Sequence, residues 1–214
     1  MDADTLYQRT AAGYGKAARV LGRRCTVYGA VGTGAVIVDT NIRGHVMAAF
    51  DTSPKFTFVN PQKFGNPIYY AACDSRTLNV GDYLAAPDFL YFIATVDDVA
   101  SPMVVRCNHA LTFTRKGAGT PGVNAYGGDQ SSATLLTARP ASVLQGTKGE
   151  KGDANLPRDA RVPWVQILMP AVDGVQLRFG DMVQDEQAQP MRYLVSSVEQ
   201  TGLGWRITAT VVVV

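Results

Sequence analysis

The chain changes its hydrophobic rhythm once, near residue 24. Before that point apolar positions recur at helical spacing. Leu6, Ala12, Ala17, Val20 and Leu21 form a loose stripe that predicts one α-helix over residues 4–21. Asp2 or Asp4 can cap its start, Gly22 can stop it, and Arg19, Arg23 and Arg24 lie at the negative end of its dipole. Gly13 and Gly15 each weaken it by up to about 1 kcal/mol relative to alanine, so this helix needs a surface to dock on.

After residue 24 the period falls to two. Short runs of β-branched and aromatic residues, bounded by Gly, Pro, Asn or Asp, predict strands at 25–28, 35–39, 46–50, 55–59, 67–73, 82–85, 90–96, 103–108 and 110–115. Residues 116–162 break this cadence with two glycine-rich polar stretches around one short apolar piece, 133–136. We read them as an extended loop or arm. Strands resume at 164–169, 175–177, 182–184, 191–198 and 205–214. The final run, WRITATVVVV, is an edge that needs a partner, from its own sheet or from another subunit. The expected organisation is a helix (1–24), a first β-barrel unit (25–115), the arm (116–162) and a second β unit (163–214). The fold class is mainly β: two related small barrels or sandwiches, an N-terminal helix and a long central loop.

A self-similarity at an offset of 99 residues supports the two related units. DSRTLNVGDYL, starting at Asp74, aligns without a gap with DGVQLRFGDMV, starting at Asp173. The shared pattern is D-x-x-x-L-x-φ-G-D-φ-φ, where φ is apolar. It predicts a strand, a tight turn and a second strand. Gly81 and Gly180 take backbone angles that other residues avoid, and Asp82 and Asp181 bond nearby backbone amides. Hairpin tips follow at 86–88 and 186–190.

Composition narrows the function. Charged residues are 18% of the chain, below the usual quarter, which suits a protein that buries surface against partners. A net charge of +2 gives no independent argument for nucleic acid, although the basic helix end and a basic loop could touch DNA. Cys25, Cys73 and Cys107 form no CxxC pair and read as reduced, mostly buried thiols. Cys107 and His109 are spaced for one face of a strand, but one such pair cannot close a metal site. The acid pairs Asp97-Asp98 and Asp185-Glu186 fall at strand ends or hairpin tips, where solvated carboxylates are ordinary. No G-x-S-x-G elbow occurs, and QGTKGEKGD lacks both the Gly-Lys-Ser/Thr of a phosphate loop and the length of a collagen repeat. We expect no catalytic residue, no cofactor and no metal. The start of the chain has no signal-peptide pattern, and no run reaches the length of a spanning helix. We therefore expect a soluble chain made in a cytoplasm, with no membrane partner.

The pattern carried by Gly180-Asp-Met-Val-Gln-Asp185 and Tyr193-Leu-Val-Ser-Ser-Val198 resembles that of small β-barrel proteins in the head–tail junction and tails of tailed bacteriophages. LYQRTAAGYGKAARVLG, FGNPIYYAACDS, VGDYL and ASVLQGTKGEKGDANLPRDARVPW extend the resemblance to phage and prophage virion proteins over nearly the whole length. The resemblance implies a virion structural protein of the head–tail connector, neck or tail. Such a protein assembles as a ring with copies of itself and meets portal, tail or fibre proteins. The doubled barrel departs from head-closure proteins with one barrel, which leaves a capsid decoration or fibre-attachment role open. A host β-barrel that binds or hydrolyses a small molecule is the third possibility. Candidate subunit contacts lie in the arm at Gly146, Lys148, Lys151, Arg158 and Arg161.

Overall fold

The computed structural model describes residues 2–54, 56, 65–97, 100–117, 132–146 and 163–212. Helix α1 spans Ala3–Leu21; the Asp2 carboxylate caps it by accepting from Asp4 N at 3.0 Å, and Gly22 ends it by donating to Ala18 O. Among the described residues twelve strands follow: β1 (Arg23–Tyr28), β2 (Ile42–Asp51), β3 (Ile68–Cys73), β4 (Tyr83–Ala85), β5 (Leu90–Thr95) and β6 (Met103–Cys107), then β7 (His109–Lys116), β8 (Ser132–Gln145), β9 (Trp164–Met169), β10 (Met182–Asp185), β11 (Arg192–Thr201) and β12 (Gly204–Val211).

The strands close into two antiparallel six-stranded barrels. The first runs β1-β2-β3-β6-β5-β4 and returns to β1. The second runs β7-β8-β9-β12-β11-β10 and returns to β7. Counted from its own first strand, each barrel has the same order, so the repeat seen in sequence extends to the whole topology.

Each barrel interior is filled by side chains from alternate strand positions. Leu84, Tyr91, Ile93 and Val104 fill the first, beside Cys25, Val27, Ala48, Ala71 and Cys73. Leu111, Phe113, Leu136, Ile167, Val183, Tyr193, Val195 and Ile207 fill the second. The opposite face of β4, β5 and β6 is buried too, because Tyr83, Phe92, Ala94 and Val105 pack with Val36 in a third cluster that Leu168 of the other barrel touches. LYFIAT therefore reads as an unbroken apolar run: one face fills a barrel and the other faces the seam between barrels.

The division between units differs from the sequence expectation. Residues 110–115 do not end the first barrel. They lie in β7, which pairs with β8 and β10 of the second. Within the expected arm lies β8, the longest strand among the described residues, placed between β7 and β9. The first barrel thus ends at Cys107, the second begins at His109, and Asn108 alone joins them. Of the rest of the expected arm only 116, 117 and 146 are described, and the phosphate-loop and collagen-like motif beyond Gln145 and Gly146 lies outside the described residues.

Smaller differences have local causes. Residues 35–38 are irregular because Asn41 Nδ2 donates to the carbonyls of Ala35 and Val36, which removes the acceptors a strand would need. Residues 175–177 are irregular because Arg115 Nη2 takes the Gln176 carbonyl and Val175 N turns back to Val172 O. The expected strand at 55–59 lies outside the described residues apart from Phe56.

Helix α1 lies on β2, β3 and the turn after β3. Its small residues make this possible. Ala11 and Ala18 are fully buried, and a Cβ on Gly15 would come within 3.1 Å of Asp74 Cβ. The glycine that weakens the helix is thus the one that lets it approach the barrel.

Candidate functional site

The two Gly-Asp turns have nearly the same geometry. Gly81 and Gly180 have φ of 89° and 86°, a region that glycine enters without a steric penalty. Gly81 N donates to Ile93 O and Gly180 N to Val195 O, while Asp82 and Asp181 return the ladder through Ile93 N and Val195 N. The Asp82 carboxylate accepts from Asn79 N at 3.0 Å, and that of Asp181 from Arg178 N at 2.7 Å. Each buried aspartate also meets an arginine. Arg43 Nη1 lies 2.8 Å from Asp82 Oδ2, and Arg115 binds Asp181 through Nε at 2.7 Å and Nη2 at 2.9 Å. Arg43 comes from β2 and Arg115 from β7, which corresponds to β1. Both motifs make the same turn, which differs from the sequence expectation in one respect. No strand precedes Gly-Asp; each motif opens its hairpin from a loop, and the hairpin tip lies after β4 or β10.

Both turns end on an exposed apolar side chain. Val80 and Phe179 occupy equivalent places before the glycine and are 58% and 77% exposed. Val20 and Leu21, at the end of α1, are exposed as well. These residues contribute nothing to either core.

The seam between barrels is the most constrained region. In β8 the register slips between Leu111↔Arg139 and Phe113↔Leu136, so Thr137 and Ala138 form a bulge. Ala138 has φ of 44°, and its N–H is taken by Thr112 Oγ1 at 2.9 Å. The bulge turns polar groups toward the first barrel. Thr137 N donates to Thr33 O at 3.0 Å, and Arg139 Nη2 donates to Gly32 O. Tyr83, fully buried, donates its hydroxyl to Pro140 O at 3.0 Å. Asn108 grips β8 from the joint: its Oδ1 accepts from Val143 N at 2.7 Å and its Nδ2 donates to Val143 O at 2.9 Å. Arg139 is 1% exposed, and its Nε and Nη1 have no partner among the described residues. Burial pushes its pKa below the ordinary arginine value, and burial raises that of Tyr83.

Beside the seam is a cleft of about 420 Å³. Ala35, Ile37 and Leu90 of the first barrel face Ala110, Ala138 and Pro140 of the second across it. One end is polar. His109 Nδ1 lies 2.7 Å from Oδ2 of Asp185, whose side chain is 2% exposed. The same nitrogen lies 3.0 Å from Gln187 Nε2. A carboxylate can only accept, so Nδ1 carries a proton and the Gln187 amide must turn its oxygen toward the ring. In the neutral imidazole, Nε2 is then a free acceptor. Sequence reading treated His109 as one half of a Cys-x-His pair and Asp185 as a solvated acid; their pairing across 76 residues has no local signal.

The thiols are shielded. Cys25 and Cys73 are fully buried, and burial pushes them up to about 11 and about 12; burial raises Cys107 too. Cys25 and Cys73 both stand beside β2, on β1 and β3, so two strand spacings, roughly 9–10 Å, keep them from forming a disulfide. Among the described residues no three His, Cys, Asp or Glu side chains gather as a metal site. None of their helices is long and apolar enough to cross a membrane.

Of the expected subunit contacts, Lys148, Lys151, Arg158 and Arg161 lie outside the described residues. Gly146 makes contacts within the chain. Its N–H donates to Trp164 O at 3.0 Å, and a Cβ there would meet the Trp164 ring at 2.1 Å. Comparison with protein-family models, curated proteins and solved structures finds no match to this chain.

Proposed function

We propose that the chain is a non-catalytic structural protein of a bacteriophage particle, in the head–tail connector, neck or tail, and that it assembles with copies of itself as a ring. The observation that carries this reading is the pair of closed, side-chain-filled barrels of one topology, joined through a single residue. Side chains fill both barrel interiors, and closure pairs each described strand on both sides. The resemblance of the Gly-Asp turn and following hairpin to small phage barrel proteins points the same way.

The sequence suggested that subunits pair strands, through the terminal valines among others. β12 lies between β9 and β11 of its own barrel, which favours other surfaces for assembly; Val213 and Val214 lie outside the described residues. The most exposed large apolar side chains among the described residues are Val20, Leu21 and Phe179, followed by Val31 and Val80. Portal, tail or fibre proteins are the neighbours this reading implies.

The test is mass measurement of the purified chain, followed by electron microscopy and quantitative mass spectrometry of particles. A closed ring with a small cyclic number of copies per particle supports the proposal. A stable monomer that never enters particles overturns it, and hundreds of copies over the shell would assign a decoration role instead.

A further inference from the structure

The cleft beside the barrel seam has a built chemistry that the ring proposal does not use. We infer that it binds a small ligand with an apolar, ring-sized body and a protonated amine. The volume of about 420 Å³ falls in the range of small-molecule sites, and its position between two packed units is where such sites concentrate. The walls supply methyl and methylene surface from both barrels. The polar end supplies acceptors. In the neutral ring His109 presents Nε2 as an acceptor, because Asp185 holds the proton on Nδ1. Glu186 adds an exposed carboxylate, and Gln187 adds an amide. Asn108 also borders the cleft, but both ends of its amide are held by Val143.

Charge decides the sign of the ligand. Among the described residues no lysine or arginine side chain lines the cleft, whereas Glu186 does and the buried Asp185 lies behind His109. A carboxylate or phosphate would face a negative end with no compensating donor pair; an ammonium group finds two acceptors there. The site is also prepared in advance. The strained Ala138 forms part of its wall, and its backbone is fixed by Thr112 and by the neighbouring bonds to the first barrel.

The experiment uses the full chain, labelled for observation of histidine rings by NMR, and titrates it with phenethylamine, phenylacetate and phenethyl alcohol. His45, exposed on β2, is the internal reference. The expected result is saturable phenethylamine binding that moves the His109 ring and leaves His45 still. Phenylacetate should bind at least about tenfold more weakly. Glu186→Gln should weaken the amine about threefold, the scale of an exposed ion pair, and leave the alcohol unchanged. Ile37→Trp fills the cleft without touching the His109–Asp185 pair and should abolish binding of all three. Equal or tighter binding of phenylacetate, equal movement of His45, no saturation up to the solubility limit, or indifference to Glu186→Gln overturns the inference. None of these outcomes depends on ring formation, so this inference and the proposed function can fail separately.

Discussion

Tyr83 of the first barrel donates its hydroxyl to the Pro140 carbonyl of the second at 3.0 Å, with both groups buried. A strand that helps close one barrel thus carries, on its outward face, a polar link to the other. Tyr83→Phe keeps the ring and its packing on Phe92 but leaves the carbonyl unsatisfied. The expected cost is about 1–2 kcal/mol, seen as a lower midpoint in urea with an unchanged slope. Tyr83→Ala also empties the seam and should cost about 3–5 kcal/mol.

Arg139 should behave in the opposite way. It is buried, keeps one hydrogen bond to Gly32, and leaves Nε and Nη1 without partners among the described residues. Arg139→Met replaces an incompletely satisfied charge by an apolar chain of similar reach, so stability should stay within about 1 kcal/mol of wild type or rise. A loss above about 3 kcal/mol would show that the guanidinium has a partner of real weight.

Asp82→Ala and Asp181→Ala test the repeated turn. Each removes an arginine contact and a bond to a backbone amide. Arg43 and Arg115 reach solvent, so their charges stay hydrated afterwards and the loss stays below that of a fully buried pair. We expect about 2 kcal/mol for each by denaturant unfolding, and nearly additive losses because the turns share no partner.

Glycine substitutions should rank by what each Cβ meets. Gly180→Ala has open space and pays only for its φ of 86°, about 1–2 kcal/mol. Gly204→Ala combines φ of 119° with Met169 O at 2.5 Å and should be the more damaging of the two in thermal unfolding. Gly146→Ala drives a methyl into the Trp164 ring and should alter tryptophan fluorescence as well as stability.

The thiols predict an alkaline limit. Cys25 and Cys73 titrate at about 11 and about 12 in the folded chain, against 9.0 for an exposed thiol. Below pH 9 both states hold their protons and the thiols favour neither. Between pH 9 and those folded values the unfolded chain releases protons that the native chain keeps. Stability therefore falls with rising pH, by up to about 1.4 kcal/mol per unit for each thiol. Denaturant titrations from pH 8 to 11 should show this slope, and Cys25→Ala should flatten it. At pH 8 a thiol reagent should react with unfolded chain far faster than with native chain.

The sequence made α1, the paired Gly-Asp turns and most strands legible because their causes are local. An Asp cap, a period of two and a glycine at positive φ all act within a few residues. The boundary between barrels was not legible. Asn108 has no glycine or proline beside it, and its role comes from clasping Val143, 35 residues away. Strand β8 lacks a strand signature because Pro140 and a polar start interrupt its pattern, and the bulge at Thr137-Ala138 shifts its alternation. The cleft has no sequence signal for a related reason. His109 and Asp185 are 76 residues apart, and only closure of the second barrel brings them together.

The single-residue joint also sets the order of events during synthesis. Every strand of the first barrel is complete in the chain before His109 is made, so that barrel can fold while the second is still being translated. Its finished outer face, with Tyr83 and Phe92 uncovered, then serves as the template on which β8 docks. Until then this surface is exposed to solvent and to other nascent chains. The window between emergence of Asn108 and closure of β8 is when aggregation should compete most strongly, and slower translation through residues 109–145 should lower the yield of soluble protein.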